Sequence, residues 1–291
     1  MLHFNMHKNT VVALLYDFDK TLCTKDMQEY TFIPNVNMTA NEFWAEASNL
    51  ARMYKMDRIL SYMYLMLEKA KAERVSIRRE DFVALGRDLE LYAGVNTWFT
   101  RMQDYGRSLG LEVQHYIISS GLREIIEGSE IWKYFSEVFA CEFFYKNDIA
   151  CWPKNVVNYT TKTQFLFRIS KGALDISDDI EVNRQKRAHD YIIPFKNMIY
   201  IGDGLTDIPC MKLVKSYGGH SIAVYKSGEL DAVKILLNEE RVNFAYPADY
   251  REGSEIDGAV KKILHKIQID TELENRASEL CAQLSNAPAT L

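Results

Sequence analysis

Three short apolar runs, VVALLY (11–16), VQHYII (113–118) and NMIYI (197–201), each stop at a polar residue: Asp17, Ser119 and, after one glycine, Asp203. Runs this rich in apolar and β-branched residues are expected of parallel strands covered on both faces. In an open α/β sheet, ligands bind in the crevice at the carboxyl ends of the strands. Three strands would then deliver polar groups to one place. Around them the chain alternates as βαβ units do. TWFTRMQDYGRSLG puts Trp98, Phe99, Met102, Tyr105 and Leu109 on one helical face and stops at a glycine. Strand-like runs recur at EVFACEFF, HSIAVY and RVNFAY, and the last is followed by SEIDGAVKKILHKI, with Ile256, Val260, Ile263 and Leu264 at helical spacing.

Residues from about 25 to 94 break the alternation. TANEFWAEASNLARMY opens with Thr39 three residues before Glu42, a capping box, and MDRILSYMYLMLEKAKAE and SIRREDFVALGRDLELY follow, the latter with Ser76 as its expected cap. This is a helical block without a strand, an insertion over the carboxyl end of the sheet. Its Met and aromatic residues (Trp44, Met53, Tyr54, Met56, Tyr62, Met63, Tyr64, Met66) read as the core of a small bundle. The expected organisation is a core of residues 1–24 and 95–270, a helical domain of 25–94 and a C-terminal helix or tail of 271–291, with SNAPATL at the end frayed.

Composition narrows the function classes. With 291 residues, 47% of them hydrophobic, the chain can bury a large core. Acidic residues outnumber basic ones by 40 to 35, for a formal charge of -5, and no Lys/Arg-dense stripe is interleaved with aromatics, so nucleic acid is not an expected partner. The five cysteines include no CxxC pair, which points away from a zinc site or disulfide framework and toward a reducing cytoplasm. The six histidines show no pairing at metal-ligand spacing. The N-terminal apolar stretch reads as a strand rather than a signal peptide, and no apolar run approaches the roughly 18 residues of a membrane span.

Asp17 and Asp19, two residues apart at a strand end, point the same way, and two close carboxylates resist joint ionisation unless a cation compensates them. Asp203 and Asp207 add two more acids at the same sheet edge. A hard divalent cation with oxygen ligands, the expected one being Mg2+, resolves the repulsion and holds a phosphate oxygen as well.

Four motifs in order, DFDKTL (17–22), IISSG (117–121), a lysine opening a helix in TTKTQFLFRI (160–169) and IGDGLTD (201–207), resemble those of the haloacid dehalogenase superfamily of phosphotransferases. The likeness is to its phosphatases with an inserted helical cap of the phosphoserine-phosphatase type. It implies a Rossmann-like, doubly wound parallel α/β sheet with an α-helical cap domain of the C1 type. It also implies Asp17 as nucleophile toward phosphorus, giving an aspartyl-phosphate that water hydrolyses, and Asp19 as the acid and then the base. The metal would take the Asp17 carboxylate, the Asp19 backbone carbonyl and Asp203, with Asp207 in its outer sphere.

Ser119, followed by Ser120 and Gly121 at a helix start, offers a hydroxyl and N–H groups to a phosphate. Lys162 would neutralise phosphate and Asp17 together, and Thr21 would support the first loop. The implied substrate is a small phosphorylated metabolite enclosed under the cap, and the implied assembly is a monomer or homodimer. Asp26, Glu29, Tyr30, Arg52 and Arg58 are candidates for substrate contact. Acids after the first motif bind the substrate amine in phosphoserine phosphatase. Here Asp26 is near the expected place, but Lys25 stands beside it, and the second motif reads SSGL rather than the usual glycine pair. The alternatives to hydrolysis are phosphotransfer to a non-water acceptor, as in a phosphomutase, and a catalytically quiet phospho-ligand sensor.

Overall fold

The computed structural model describes residues 10–187 and 190–285. The two ends, residues 1–9 and 286–291, lie outside the described residues. With them go the start of the first expected domain and most of the segment expected to fray. In chain order the elements are β1 (Thr10–Tyr16), α1 (Phe32–Asn35), α2 (Ala40–Tyr54), α3 (Arg58–Ala72), α4 (Arg79–Ala84), α5 (Val95–Ser108), β2 (Leu111–Leu122) and α6 (Arg123–Glu127). There follow β3 (Glu137–Lys146), β4 (Ile149–Asn155), α7 (Lys162–Lys171), α8 (Asp179–Asn183), β5 (Met198–Gly202), α9 (Ile208–Ser216), β6 (His220–Tyr225), α10 (Asp231–Asn238), β7 (Phe244–Pro247) and α11 (Glu255–Ser285).

The strands form one sheet in the order β4-β3-β2-β1-β5-β6-β7. All neighbours are parallel except β3 and β4, which form a hairpin. Every residue of β1 from Val11 to Tyr16 is buried, as a strand covered on both faces requires. Chain order reverses at β1, with β2 on one side and β5 on the other, which is where such sheets open a crevice. Register levels the three strand ends, because Tyr16 pairs with both Ile117 and Ile201. The residues that follow, Asp17, Ser119 and Asp203, therefore emerge at one edge. Under that edge Trp98 Nε1 donates to Tyr16 OH at 2.8 Å, Tyr16 OH donates to His115 Nδ1 at 3.0 Å, and His115 Nε2 donates to the Phe99 carbonyl at 3.2 Å, a tautomer assigned from the network.

The helical block between β1 and α5 is present. Thr39 and Glu42 make the expected reciprocal capping box at the start of α2. Asp57 caps α3 by accepting from the N–H groups of Ile59 and Leu60. Tyr62, Met63 and Met66 are buried as expected of a bundle core, but Met53, Tyr54 and Tyr64 are exposed, because helical spacing carries them round to the solvent side. Ser76 does not cap the next helix; α4 begins at Arg79 and Ser76 Oγ instead meets the Asp81 carboxylate.

Three further departures have local causes. β2 does not stop at Ile118 but runs through Ser119, Ser120 and Gly121 to Leu122 with a register shift against β3, so helix α6 starts at Arg123 and not at the serines. The edge strand β4 carries Pro153 in its middle, which masks it as a loop, and the left-handed Asn147–Asp148 turn before it is the hairpin signal left unread. The last helix does not break near 270: α11 is continuous over 31 residues, with Ile256, Val260, Ile263, Leu264 and Ile267 buried before it runs on into solvent.

The segment near 170–195, without an expected role, is organised by the buried Arg168, whose guanidinium donates to the carbonyls of Asp175 at 2.7 Å and Ile176 at 3.1 Å. Residues 188–189 of it are outside the described residues. No helix among the described residues is long and apolar enough to cross a membrane.

Candidate active site

A cleft of about 520 Å3 opens at the carboxyl ends of β1, β2 and β5, with Asp17, Asp19, Ser119, Ser120 and Asp203 on its floor. Asp17 is placed by the last residue of β1 and tied to the neighbouring strand, its N–H donating to the Ile201 carbonyl at 3.0 Å. One carboxylate oxygen accepts from the Phe18 N–H at 2.8 Å; the other lies 3.1 Å from Lys162 Nζ. Lys162 opens α7 as expected and is fully buried, its Nζ also 2.7 Å from Asp207 Oδ1. Asp207 in turn accepts from Tyr200 OH at 2.7 Å and from the Gly204 N–H at 3.3 Å.

Carboxylate oxygens of Asp17, Asp203 and Asp207 all lie within 4.8 Å of one another. Burial and then the Asp207 charge push the Asp17 carboxyl up to about 6, against the opposing pull of Lys162. Asp203 is raised well above the usual carboxylate range by burial and by Asp207 and Asp17. For Lys162, burial alone would lower the pKa, but Asp17 and Asp207 outweigh it and the ammonium is held charged. One buried ammonium facing three acids leaves negative charge uncompensated, and an oxygen-only donor set of this kind fits a hard divalent cation. Asp207 thus stands in the cluster itself, while its bonds to Lys162 and Tyr200 suit the outer-sphere position expected for it.

Asp19 is different. Its carboxylate does not join that group; Oδ1 accepts from the Met27 N–H at 2.8 Å. Burial first, then the charges of Asp26 and Asp17, raise it well above the ordinary range, which favours the protonated acid. The side chain faces Gly121, where a Cβ would sit 2.1 Å from Met27 Cε and 2.9 Å from Asp19 Oδ2, so only glycine leaves room there.

Ser119 is buried, and its Oγ accepts from the Gly121 N–H at 3.1 Å. Ser120 Oγ and Thr21 Oγ1 are buried with no partner among the described residues. Ser120 lines the cleft; Thr21 and Gly121 do not. Of the candidate contact residues, Asp26 and Arg58 line the cleft. Glu29 instead accepts from Trp44 Nε1, Tyr30 OH bonds to Thr24 and to the Glu90 carbonyl, and Arg52 meets Asn49. Lys20, Gln28, Ser48, Tyr159 and Thr206 also line the cleft, and sequence reasoning singled out none of them. Trp44 and Tyr62 belong to the lining as well as to the bundle, so the reading of both as core alone is incomplete. Lys20 alone carried a readable signal, because it follows the second aspartate of the first motif directly.

The model of the haloacid dehalogenase-like hydrolases matches residues 14–212, which span all four motifs. The chain belongs to the haloacid dehalogenase-like hydrolase family. A relative in Borreliella burgdorferi, described only as an uncharacterized protein, is 29% identical, with 86% of this chain and 95% of that protein covered. Among solved structures, a probable phosphoserine phosphatase from Vibrio cholerae is similar with a TM-score of 0.54 at 14% identity, covering 91% of this chain and 67% of that one. A family hydrolase from Salmonella enterica serovar Typhi gives 0.53 at 16%, covering 80% of this chain and 66% of that one, so this chain spans just under two thirds of that protein's length. Phosphoserine phosphatase in its apo form gives 0.52 at 14%, covering 81% and 93%. At these identities the structural likeness establishes the fold: the doubly wound α/β architecture of the family.

Proposed function

We propose that the protein is a Mg2+-dependent phosphomonoesterase that hydrolyses a small phosphorylated metabolite through an aspartyl-phosphate on Asp17. The observation that carries this reading is the grouping of Asp17, Asp203 and Asp207 within 4.8 Å, with Lys162 Nζ 3.1 Å from Asp17 and the Asp19 carboxyl turned elsewhere.

Mg2+, held by the Asp17 and Asp203 carboxylates and the Asp19 carbonyl with Asp207 behind them, would supply charge for the transferring phosphoryl oxygens. Lys162 adds a second positive charge and keeps Asp17 ionised, and the Phe18 N–H fixes the other Asp17 oxygen. A carboxylate oxygen of Asp17 bonds to phosphorus as the P–O bond to the alcohol breaks, and Asp19, protonated in its buried setting, gives its proton to the leaving oxygen. Asp19 then takes a proton from water as that water attacks phosphorus, releasing phosphate and regenerating Asp17. Ser119 and Ser120 would donate to the phosphoryl oxygens. The helical block from 25 to 94 acts as the cap, with α2 and α3 contributing the wall that separates ester from bulk water.

Hydrolysis of p-nitrophenyl phosphate with and without Mg2+ tests this directly. Turnover should need the metal and should fall by about a thousandfold or more in Asp17→Asn. Full activity in that variant would sink the proposal.

A further inference from the structure

The cleft wall away from the strand ends has an unusual charge balance. Asp26 is its single carboxylate beyond Asp17, Asp19 and Asp203 among the described residues, and Lys20 Nζ sits 2.6 Å from Asp26 Oδ2, closing it as an ion pair. Lys20 holds this place from a backbone at φ 54, in the left-handed region that non-glycine residues adopt only where the surroundings impose it. The remaining charged group on the wall is Arg58, a second cation, whose hydrogen bond goes to Ser48 Oγ at 3.4 Å. The same lining includes Gln28, 2% exposed, whose Oε1 is buried with no partner among the described residues. A buried carboxamide oxygen with no protein donor is a ready acceptor for one.

We infer that Lys20, by neutralising Asp26 in a lining that also carries the unpartnered Gln28 Oε1, sets specificity: the cleft rejects phosphate esters bearing an ammonium near the ester carbon and selects those bearing a hydroxyl or carboxylate there. This rests on the phosphomonoesterase reading for the location of the phosphate. An ammonium placed against this wall would meet Lys20 and Arg58 with the wall's one carboxylate already paired, and like charges juxtaposed in a cleft discriminate strongly. A hydroxyl would satisfy Gln28 Oε1, and a carboxylate would find the Lys20 ammonium. Sugar or polyol phosphates and hydroxy-acid phosphates share this chemistry, and the two arms below separate them.

The test uses non-hydrolysable phosphonates of similar size, so that it does not depend on turnover: 2-aminoethylphosphonate, 2-hydroxyethylphosphonate and phosphonoacetate, titrated calorimetrically into the full chain with Mg2+. The hydroxyl or the carboxylate probe should bind about tenfold tighter than the amine, and whichever leads identifies the source. Lys20→Met should bring the ratio to within about threefold, Lys20→Arg should restore it, and Gln28→Leu should weaken only the hydroxyl probe. If Lys20→Met does not fold by circular dichroism, Lys20→Gln takes its place. Equal or tighter binding of the amine, a ratio unmoved by loss of Lys20, or no binding by any of the three would each overturn the inference. Hydrolysis of p-nitrophenyl phosphate by the same preparation judges the parent reading separately.

Discussion

The floor of the cleft and its wall are built on opposite plans. On the floor, partners from three distant segments close on one another: Lys162 with Asp17 and Asp207, Tyr200 with Asp207, and the Asp17 N–H with Ile201. On the wall, made by the 26–30 loop with α2 and α3, Gln28 Oε1 has no partner and Arg58 reaches only a serine. A floor held by bonds between its own side chains keeps its geometry without ligand and treats every ester alike. A wall with unsatisfied groups takes its final form from what binds. Substitutions on the floor should therefore act on kcat, and those on the wall on KM and preference.

Asp19→Asn probes that division most severely after Asp17. It should lower kcat by about 10²- to 10⁴-fold, and by more for alkyl phosphates than for p-nitrophenyl phosphate, whose leaving group needs little protonation. An equal loss on both substrates would mean that Asp19 fixes the floor rather than moves a proton. Gly202→Ala comes next. A Cβ there would stand 2.5 Å from Asp207 Oδ2, so the carboxylate that anchors Lys162 must shift. We expect about a tenfold loss of kcat with a destabilisation of about 1–3 kcal/mol, read by activity and urea unfolding. An unchanged kcat would show that the floor tolerates movement.

How much of this was legible in the sequence follows the same division. Asp17, Ser119 and Asp203 were readable because strands covered on both faces leave unbroken apolar runs, and the first polar residue after each run marks the sheet edge. Lys162 was readable from the helix start after NYTT. The wall was not. Gln28 and Tyr159 lie in segments with no periodicity, and whether a side chain there meets the cleft depends on how helices and sheet dock, which no local pattern encodes. Such a double reading is absent from the strands but present in α2 and α3, where Trp44 and Tyr62 satisfy a bundle stripe and a cleft lining at once. The strand end of β2 misled in a third way: a serine pair and a glycine look like a helix start until pairing with β3 extends the strand past them.

The floor also rests on a buried neutral imidazole, which makes its integrity dependent on pH. Burial pushes His115 down to about 3 from an ordinary 6.5, so below 6.5 the unfolded chain takes up a proton that the folded one refuses. Stability from this group is fully present above pH 6.5 and is lost as pH falls toward 3, by at most about 1.4 kcal/mol per unit. The Tm should fall on acidification across that window, and the His115 ring should show no NMR titration between pH 5 and 8. A ring that titrates near 6 would mean that the layer beneath the floor is open to water.

The smallest expected effect lies where wall and floor touch. Tyr62, on α3, donates its hydroxyl to the Ser120 carbonyl at 2.7 Å, joining the helical block to the strand that presents Ser119. Tyr62→Phe removes this one hydrogen bond to the Ser120 carbonyl, a cost of about 1 kcal/mol. If the floor keeps its geometry unaided, kcat should change by less than about twofold while KM rises about two- to fivefold, since a loosened wall binds less well but the reacting groups stay in place. A fall in kcat larger than the rise in KM would break the comparison, because the strand end would then owe its position to the helix above it rather than to its neighbours in the sheet.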